Sequence, residues 1–204
     1  MHSLPRRTFL RALALTLCTG AAFAAETDPA AARIRAFCDV LLETMKQAAS
    51  LGVKGRYNKL APAVRATYDL PAMTRIAIGL TWKTLAPEQQ SALVEQFSRM
   101  SIATYASRFD GYDGERFEVD PATEPRNANR IVHTRIMRKQ GDPVTLNYLC
   151  QETPDGWKAI DVYLNGTVSE LATRRAEFAA ILKAGGAQAL IEMLQGRADK
   201  MLAA

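Results

Sequence analysis

Val144-Thr145-Leu146-Asn147-Tyr148-Leu149-Cys150-Gln151-Glu152-Thr153-Pro154-Asp155-Gly156-Trp157-Lys158-Ala159-Ile160-Asp161-Val162-Tyr163-Leu164 decides the fold. Val144, Leu146, Tyr148 and Cys150 recur at every second position, which makes one clean apolar face of a strand. Pro154-Asp155-Gly156 is turn chemistry, so 144–151 and 157–164 must be antiparallel neighbours. Working upstream, Gly141-Asp142-Pro143 separates the first run from another strand at 130–138, and 117–119 reads as a fourth. Within 130–138, Val132, Thr134 and Ile136 face one way, while Ile131, His133, Arg135 and Met137 face the other.

Helices flank this block on both sides. Asp28-Pro29 is a cap followed by a first-turn proline, and Ile34, Phe37, Cys38, Leu41, Leu42 and Met45 then recur at helical spacing. Gly52 and Gly55 are expected to end that helix. A shorter one over 57–67 should bend at Pro62. Asp69-Leu70-Pro71 opens a third, with Met73, Ile76, Ala77 and Leu80 on one side and Gly79 near its end. Pro87-Glu88-Gln89 opens the longest, striped by Leu93, Phe97, Met100 and Thr104. After Asn165-Gly166, Leu171, Phe178, Ile181 and Leu182 form a stripe that Gly185-Gly186 should stop; Leu190, Ile191, Leu194, Ala198 and Met201 form the last. The expected class is α+β. A curved antiparallel four-stranded sheet, NTF2-like, is packed by N- and C-terminal helices around an apolar cavity.

The chain has 204 residues, 26 Lys and Arg against 21 Asp and Glu, and a formal charge of +5. Residues 1–24 hold Arg6, Arg7 and Arg11 and no acid, so 23 bases face 21 acids beyond them. That near balance argues against a nucleic-acid partner. The same segment has a charged start, an apolar stretch and Ala22-Phe23-Ala24 as a cleavage site, the plan of a secretory signal peptide. Arg6-Arg7-Thr8-Phe9-Leu10-Arg11 resembles a twin-arginine export signal; general secretion is the alternative. Leu17 before Cys18 rules against a lipobox. Residues 25–204 are then a soluble periplasmic domain. In an oxidising compartment Cys38 and Cys150 would form a disulfide or stay as two buried thiols, and the residues leave both open.

Catalytic chemistry is sparse. His133 is the one histidine beyond the signal and sits mid-strand, where a structural role is the plainer reading. Asp110, Asp113 and Glu115 lack the order of a calcium loop. No metal site, phosphate loop or dinucleotide fingerprint is present, and no cofactor is expected. One enzymatic alternative stands: an NTF2-like pocket with Asp161 and Tyr163 as an acid-base pair.

The order of motifs resembles a known family. Ala77-Ile78-Gly79-Leu80-Thr81-Trp82-Lys83-Thr84-Leu85-Ala86-Pro87-Glu88-Gln89-Gln90 is similar to a passage of MlaC-type (toluene-tolerance) periplasmic lipid carriers, and Phe97 and Tyr105 follow in place. Gly156-Trp157-Lys158-Ala159-Ile160-Asp161-Val162 and Asn165-Gly166-Thr167-Val168-Ser169 resemble two later passages. Tyr105-Ala106-Ser107-Arg108-Phe109-Asp110-Gly111-Tyr112 and Gly166-Thr167-Val168-Ser169-Glu170-Leu171-Ala172 look most like the hopanoid-associated HpnM branch. Ala86 departs from the pattern, where relatives often carry Ser or Thr. The resemblance implies a non-enzymatic carrier that holds phospholipid or hopanoid. It would exchange that cargo with an inner-membrane ABC transporter complex and an outer-membrane-side donor or acceptor, and so serve outer-membrane lipid homeostasis.

Such cargo needs an enclosed apolar wall. It is expected where short helices diverge from the twisted sheet, at Met73, Ile76, Phe97, Met100, Tyr105, Ile136, Leu146, Val162, Val168 and Phe178. The head group should lie in water at the mouth, because the sequence shows no cluster of arginines to receive it.

Overall fold

The computed structural model describes residues 27–203, and the expected signal peptide lies outside them. Five helices and six strands follow in the order α1 Pro29–Lys46, α2 Ala48–Thr67, α3 Leu70–Ile78, α4 Pro87–Arg108, β1 Arg116–Val119, β2 Glu124–Arg126, β3 Asn129–Met137, β4 Val144–Thr153, β5 Gly156–Leu164, β6 Val168–Ser169 and α5 Glu170–Ala203. A 3-10 turn, Gly79–Thr84, joins α3 to α4. Helices and an antiparallel sheet make the mixed class that the sequence indicated.

The sheet has six strands rather than four, in the order β1-β3-β4-β5-β6, with β2 beside β3. The four expected strands are β1, β3, β4 and β5. β1 takes Thr134–Met137 of β3 and β2 takes Asn129–Ile131, so both lie along one edge. Both extra strands are too short to alternate: β2 is Glu-Pro-Arg and fully exposed, and β6 is two residues. Between β4 and β5 the register slips at Leu149/Cys150, where Asp161 pairs with Leu149 but Ala159 pairs with Cys150. Such a bulge bends a strand and increases its twist.

Helix ends differ from expectation at two glycines. α1 stops at Lys46, and Gly52, with φ 57°, is a kink inside α2 rather than the end of α1. α2 then runs on through Gly55 and Pro62. Gly186, with φ 68°, likewise breaks α5 in place without ending it. Left-handed backbone suits glycine, and a helix restarts directly after a single such residue. Asp28 caps α1 as read: its Oδ1 accepts from the Ala30 N–H at 2.8 Å. Its Oδ2 accepts from Thr123 Oγ1 at 2.8 Å and from Arg130, which lies 4.6 Å over the Trp157 ring. The cap therefore also ties α1 to the sheet. Buried Arg56 of α2 donates to the Ala106 carbonyl at 2.8 Å, satisfying an acceptor in the last turn of α4.

All helices pack on one face of the sheet. Val132, Thr134, Tyr148 and Cys150 are buried beneath them. The opposite face carries Glu118, His133, Arg135, Thr145 and Asn147 in an open polar recess. His133 meets Glu124 at 3.1 Å and links β3 to β2, which is a structural role. Asp113, from the acidic turn, pairs with Lys139 at 3.3 Å.

Candidate functional site

A cavity of about 220 Å³ lies between the sheet and α2, α3, α4 and α5. Strand alternation builds its floor. Ile136 of β3, Val144 and Leu146 of β4, and Val162 and Leu164 of β5 face it; Ile136 pairs with Val144, and Leu146 with both Thr134 and Leu164. Val64, Leu70 and Met73 close it from α2 and α3. Asp69 holds α3 in place, since its Oδ1 caps Ala72 at 2.9 Å and its N–H donates to the Ala159 carbonyl at 3.0 Å.

One end of the cavity is aromatic. Tyr68 and Tyr105 join hydroxyl to hydroxyl, and Phe37 meets both rings edge-on at 5.5 and 5.2 Å. Phe109 stacks on Tyr105 at 5.8 Å. Burial pushes the Tyr105 phenol up to about 12 and the Tyr68 phenol well above its ordinary value, so both stay protonated. Charged groups line the same wall: Arg108, in the turn of α4 between Tyr105 and Phe109, with Glu170 and Arg174 of α5, and exposed Arg108 marks where the cavity meets solvent.

Six of the ten residues expected on the wall are there: Met73, Phe97, Tyr105, Ile136, Leu146 and Val162. Four are not. Met100 is 1% exposed and sealed between α4 and α5, and Phe178 is fully buried, edge-on to Phe97 at 6.3 Å. Phe97 occupies the layer nearest the cavity, so Phe178 behind it is solid core. Ile76 is 40% exposed because α3 turns Met73 and Ala77 inward and Ile76 off the rim. Val168 is 52% exposed on the edge strand β6. The wall also carries two arginines, Arg108 and Arg174, that the sequence reading did not place there. They are far apart in sequence and share the wall only because α4 and α5 pack side by side; an inward arginine at the end of an apolar helix stripe was the available signal.

The acid-base alternative does not assemble. Val162 and Leu164 face the cavity, so Asp161 and Tyr163 belong to the other side of β5. Asp161 is 7% exposed; its Oδ1 accepts from the Val162 N–H at 2.8 Å and the Leu171 N–H at 3.1 Å, and its Oδ2 from Ser169 Oγ at 2.5 Å. It fastens the start of α5 to the sheet. Of the two readings left open for the cysteines, the structure has the second: Cys38 and Cys150 are buried free thiols. Among the described residues no three His, Cys, Asp or Glu side chains gather to hold a metal, and no helix is long and apolar enough to cross a membrane.

No curated protein matches the chain. Among solved structures it is similar to a phospholipid-binding protein from Ralstonia solanacearum, described in complex with a phospholipid. The two share 23% identity and a TM-score of 0.75, over 85% of this chain and 99% of that one. That likeness is one of fold. The sequence profile described as MlaC protein matches residues 35–196, which takes in all of the cavity wall. The chain belongs to the MlaC family.

Proposed function

We propose that this protein is a periplasmic lipid carrier that holds the acyl or terpenoid body of a phospholipid or hopanoid between its sheet and helices. The observation that carries the reading is the cavity between sheet and helices, apolar over most of its wall and open to solvent beside Arg108. Its ~220 Å³ exceeds the ~150 Å³ engineered apolar cavity that stays dry and binds benzene. Membership of the MlaC family and the fold shared with a phospholipid-bound protein support it. Carrying a two-tailed lipid through water means hiding ~30 methylenes, at about 0.8 kcal/mol each.

Met73, Phe97, Tyr105, Ile136, Leu146 and Val162 are the proposed contacts. Residues 1–24 direct export, by the twin-arginine or the general route, and 25–204 form the lipid-binding domain in its NTF2-like cone. Exchange is with an inner-membrane ABC transport complex on one side and an outer-membrane-side partner on the other; the HpnM-like wording favours hopanoid transport as a specialisation.

Native mass spectrometry and solvent extraction of the purified protein test the reading, and co-purified lipid is the expected result. Repeated recovery of lipid-free protein that also takes up no lipid from vesicles overturns it, in favour of an interaction module of an envelope complex.

A further inference from the structure

The sheet face turned away from the helices carries a recess of about 250 Å³ whose residues form a grid set by strand pairing. Glu118 lies opposite Arg135, and Arg135 opposite Thr145. Two residues along, Asp120 donates its N–H to the His133 carbonyl at 3.0 Å, and His133 lies opposite Asn147. Residues opposite one another in an antiparallel sheet project from the same face. The two rows therefore bring Glu118, Asp120, His133, Arg135, Thr145 and Asn147 to one recess.

Charges in the first row cancel. Arg135 stands 3.2 Å from one carboxylate oxygen of Glu118, and Arg116 stands 3.1 Å from the other. The second row is less complete. His133 turns to Glu124 at 3.1 Å, and among the described residues no hydrogen bond or ion pair holds the exposed Asp120 carboxylate. Asn147 is only 9% exposed, and its amide oxygen is buried without a hydrogen-bond partner. Its amide nitrogen lies against Gly166, 3.5 Å from where a Cβ would stand, which turns the oxygen away from the β5–β6 turn. Side-chain polar atoms buried so deeply are normally paired. A carboxylate and an amide oxygen, both lacking a donor, thus flank His133. At the spacing of adjacent strands their backbones are about 10 Å apart.

We infer that this recess binds a primary ammonium group, on the face opposite the apolar cavity. An ammonium brings three N–H donors and a positive charge, and it accepts nothing. Asp120 meets the charge, and Asn147 offers the buried neutral acceptor. An anion finds no free cation, since Arg135 is already held by Glu118. A divalent metal ion would need more than the single unengaged carboxylate. The two acceptors stand apart on different strands, which suits a compact, three-way donor better than the planar fork of a guanidinium.

The test titrates butylamine hydrochloride into isotope-labelled protein at pH 7 and follows amide shifts by NMR. Shifts should cluster at 118–120, 133–135 and 145–147, include the Asn147 side-chain amide, and saturate with a Kd on the order of 1 mM. Butan-1-ol lacks the charge and tetramethylammonium lacks the donors. Each should bind about tenfold more weakly, the scale of one charge-assisted hydrogen bond. Asp120→Asn should weaken butylamine by about the same factor with its thermal melt unchanged. Asn147→Leu should also weaken it without loss of stability, because the change removes an unpaired acceptor. A merely structural Asn147 would lose stability and keep the binding. Asp120 is exposed, so its variant reports even where Asn147→Leu fails to fold. Acetyl-lysine amide separates two sources of the group: affinity equal to that of butylamine supports a free amine, and a much tighter grip supports the site with a lysine side chain of a protein partner as its source. No saturable shift in the recess, equal binding of tetramethylammonium, or affinity unchanged in either folded variant overturns the inference. Lipid uptake by Asp120→Asn should match the wild type, so failure here leaves the carrier reading untouched.

Discussion

The hydroxyl of Tyr68, the residue that ends α2, bonds the hydroxyl of Tyr105 on α4 at the aromatic end of the cavity. A third phenol, Tyr148, tilts against Tyr68 at 6.3 Å, and its hydroxyl is buried with no partner. Tyr68→Phe or Tyr105→Phe strands the surviving hydroxyl, which should cost about 1–3 kcal/mol. Removing both at once should cost less than the two single losses added together, because no donor is left unpaired. Urea unfolding of the two single variants and the double variant measures this coupling. Strict additivity would show that the pair contributes nothing as a pair.

Bulk added to the wall and bulk added to the core should part company. Ile136 faces the cavity from β3, where an aromatic side chain suits a strand. Ile136→Trp should fill space, leave stability within about 1 kcal/mol, and abolish lipid uptake. Met100 is sealed between α4 and α5, so Met100→Trp should overpack and cost about 1–3 kcal/mol. Thermal melts together with vesicle uptake separate the two outcomes. Uptake intact in Ile136→Trp would move the binding site elsewhere.

What was legible in the sequence was what periodicity and turn chemistry encode. Val144, Leu146, Tyr148 and Cys150 announce an apolar strand face, and Asp155-Gly156 forces the hairpin, so the antiparallel pairing of β4 with β5 followed. The bulge at Leu149/Cys150 did not, because no glycine or proline marks it. A helical stripe names the buried face but not its depth. Phe97 and Phe178 read alike, yet one borders the cavity and the other lies behind it. Ile76 was assigned inward on its spacing from Met73, although α3 ends before another turn could cover it. Arg108 and Arg174 line one cavity only through the antiparallel packing of α4 and α5, a tertiary fact that neither local stretch contains.

Ala86 precedes Pro87 at the start of α4 in extended backbone, and its N–H donates to Gln89 Oε1 at 3.1 Å. That is half of a capping box, since alanine has no oxygen to return the bond. Ala86→Ser should complete it and stabilise the protein by about 0.5–2 kcal/mol. A raised urea midpoint with unchanged slope is the expected observation.

Asp161 gives a sharper separation of structure from chemistry. Its carboxylate accepts from Val162, Leu171 and Ser169 and so holds the first turn of α5 on β5. Asp161→Asn keeps the shape but replaces one acceptor oxygen with a donor, which should cost about 1–3 kcal/mol. Lipid retention by the folded fraction should be unchanged. Loss of retention at full stability would instead give Asp161 a direct part in binding.

Cys38 and Cys150 are 1% and 0% exposed, and burial pushes both thiols up to about 12, with nearby Asp39 and Asp28 respectively adding to the shift. The sign of the pH effect follows. An unfolded thiol ionises near ~8.5, so below that pH both states hold the proton and the contribution to stability is complete. Between about 8.5 and 12 the unfolded chain releases protons that the folded one keeps, and stability falls as pH rises, by up to about 1.4 kcal/mol per pH unit for each thiol. Urea midpoints from pH 8 to 9.5, before the phenols titrate near ~10, should decline, and less so in Cys38→Ala. A thiol reagent at pH 8 should find neither group in the native domain and both after unfolding without reductant. Finding none in the unfolded chain would mean that the two are bonded after all.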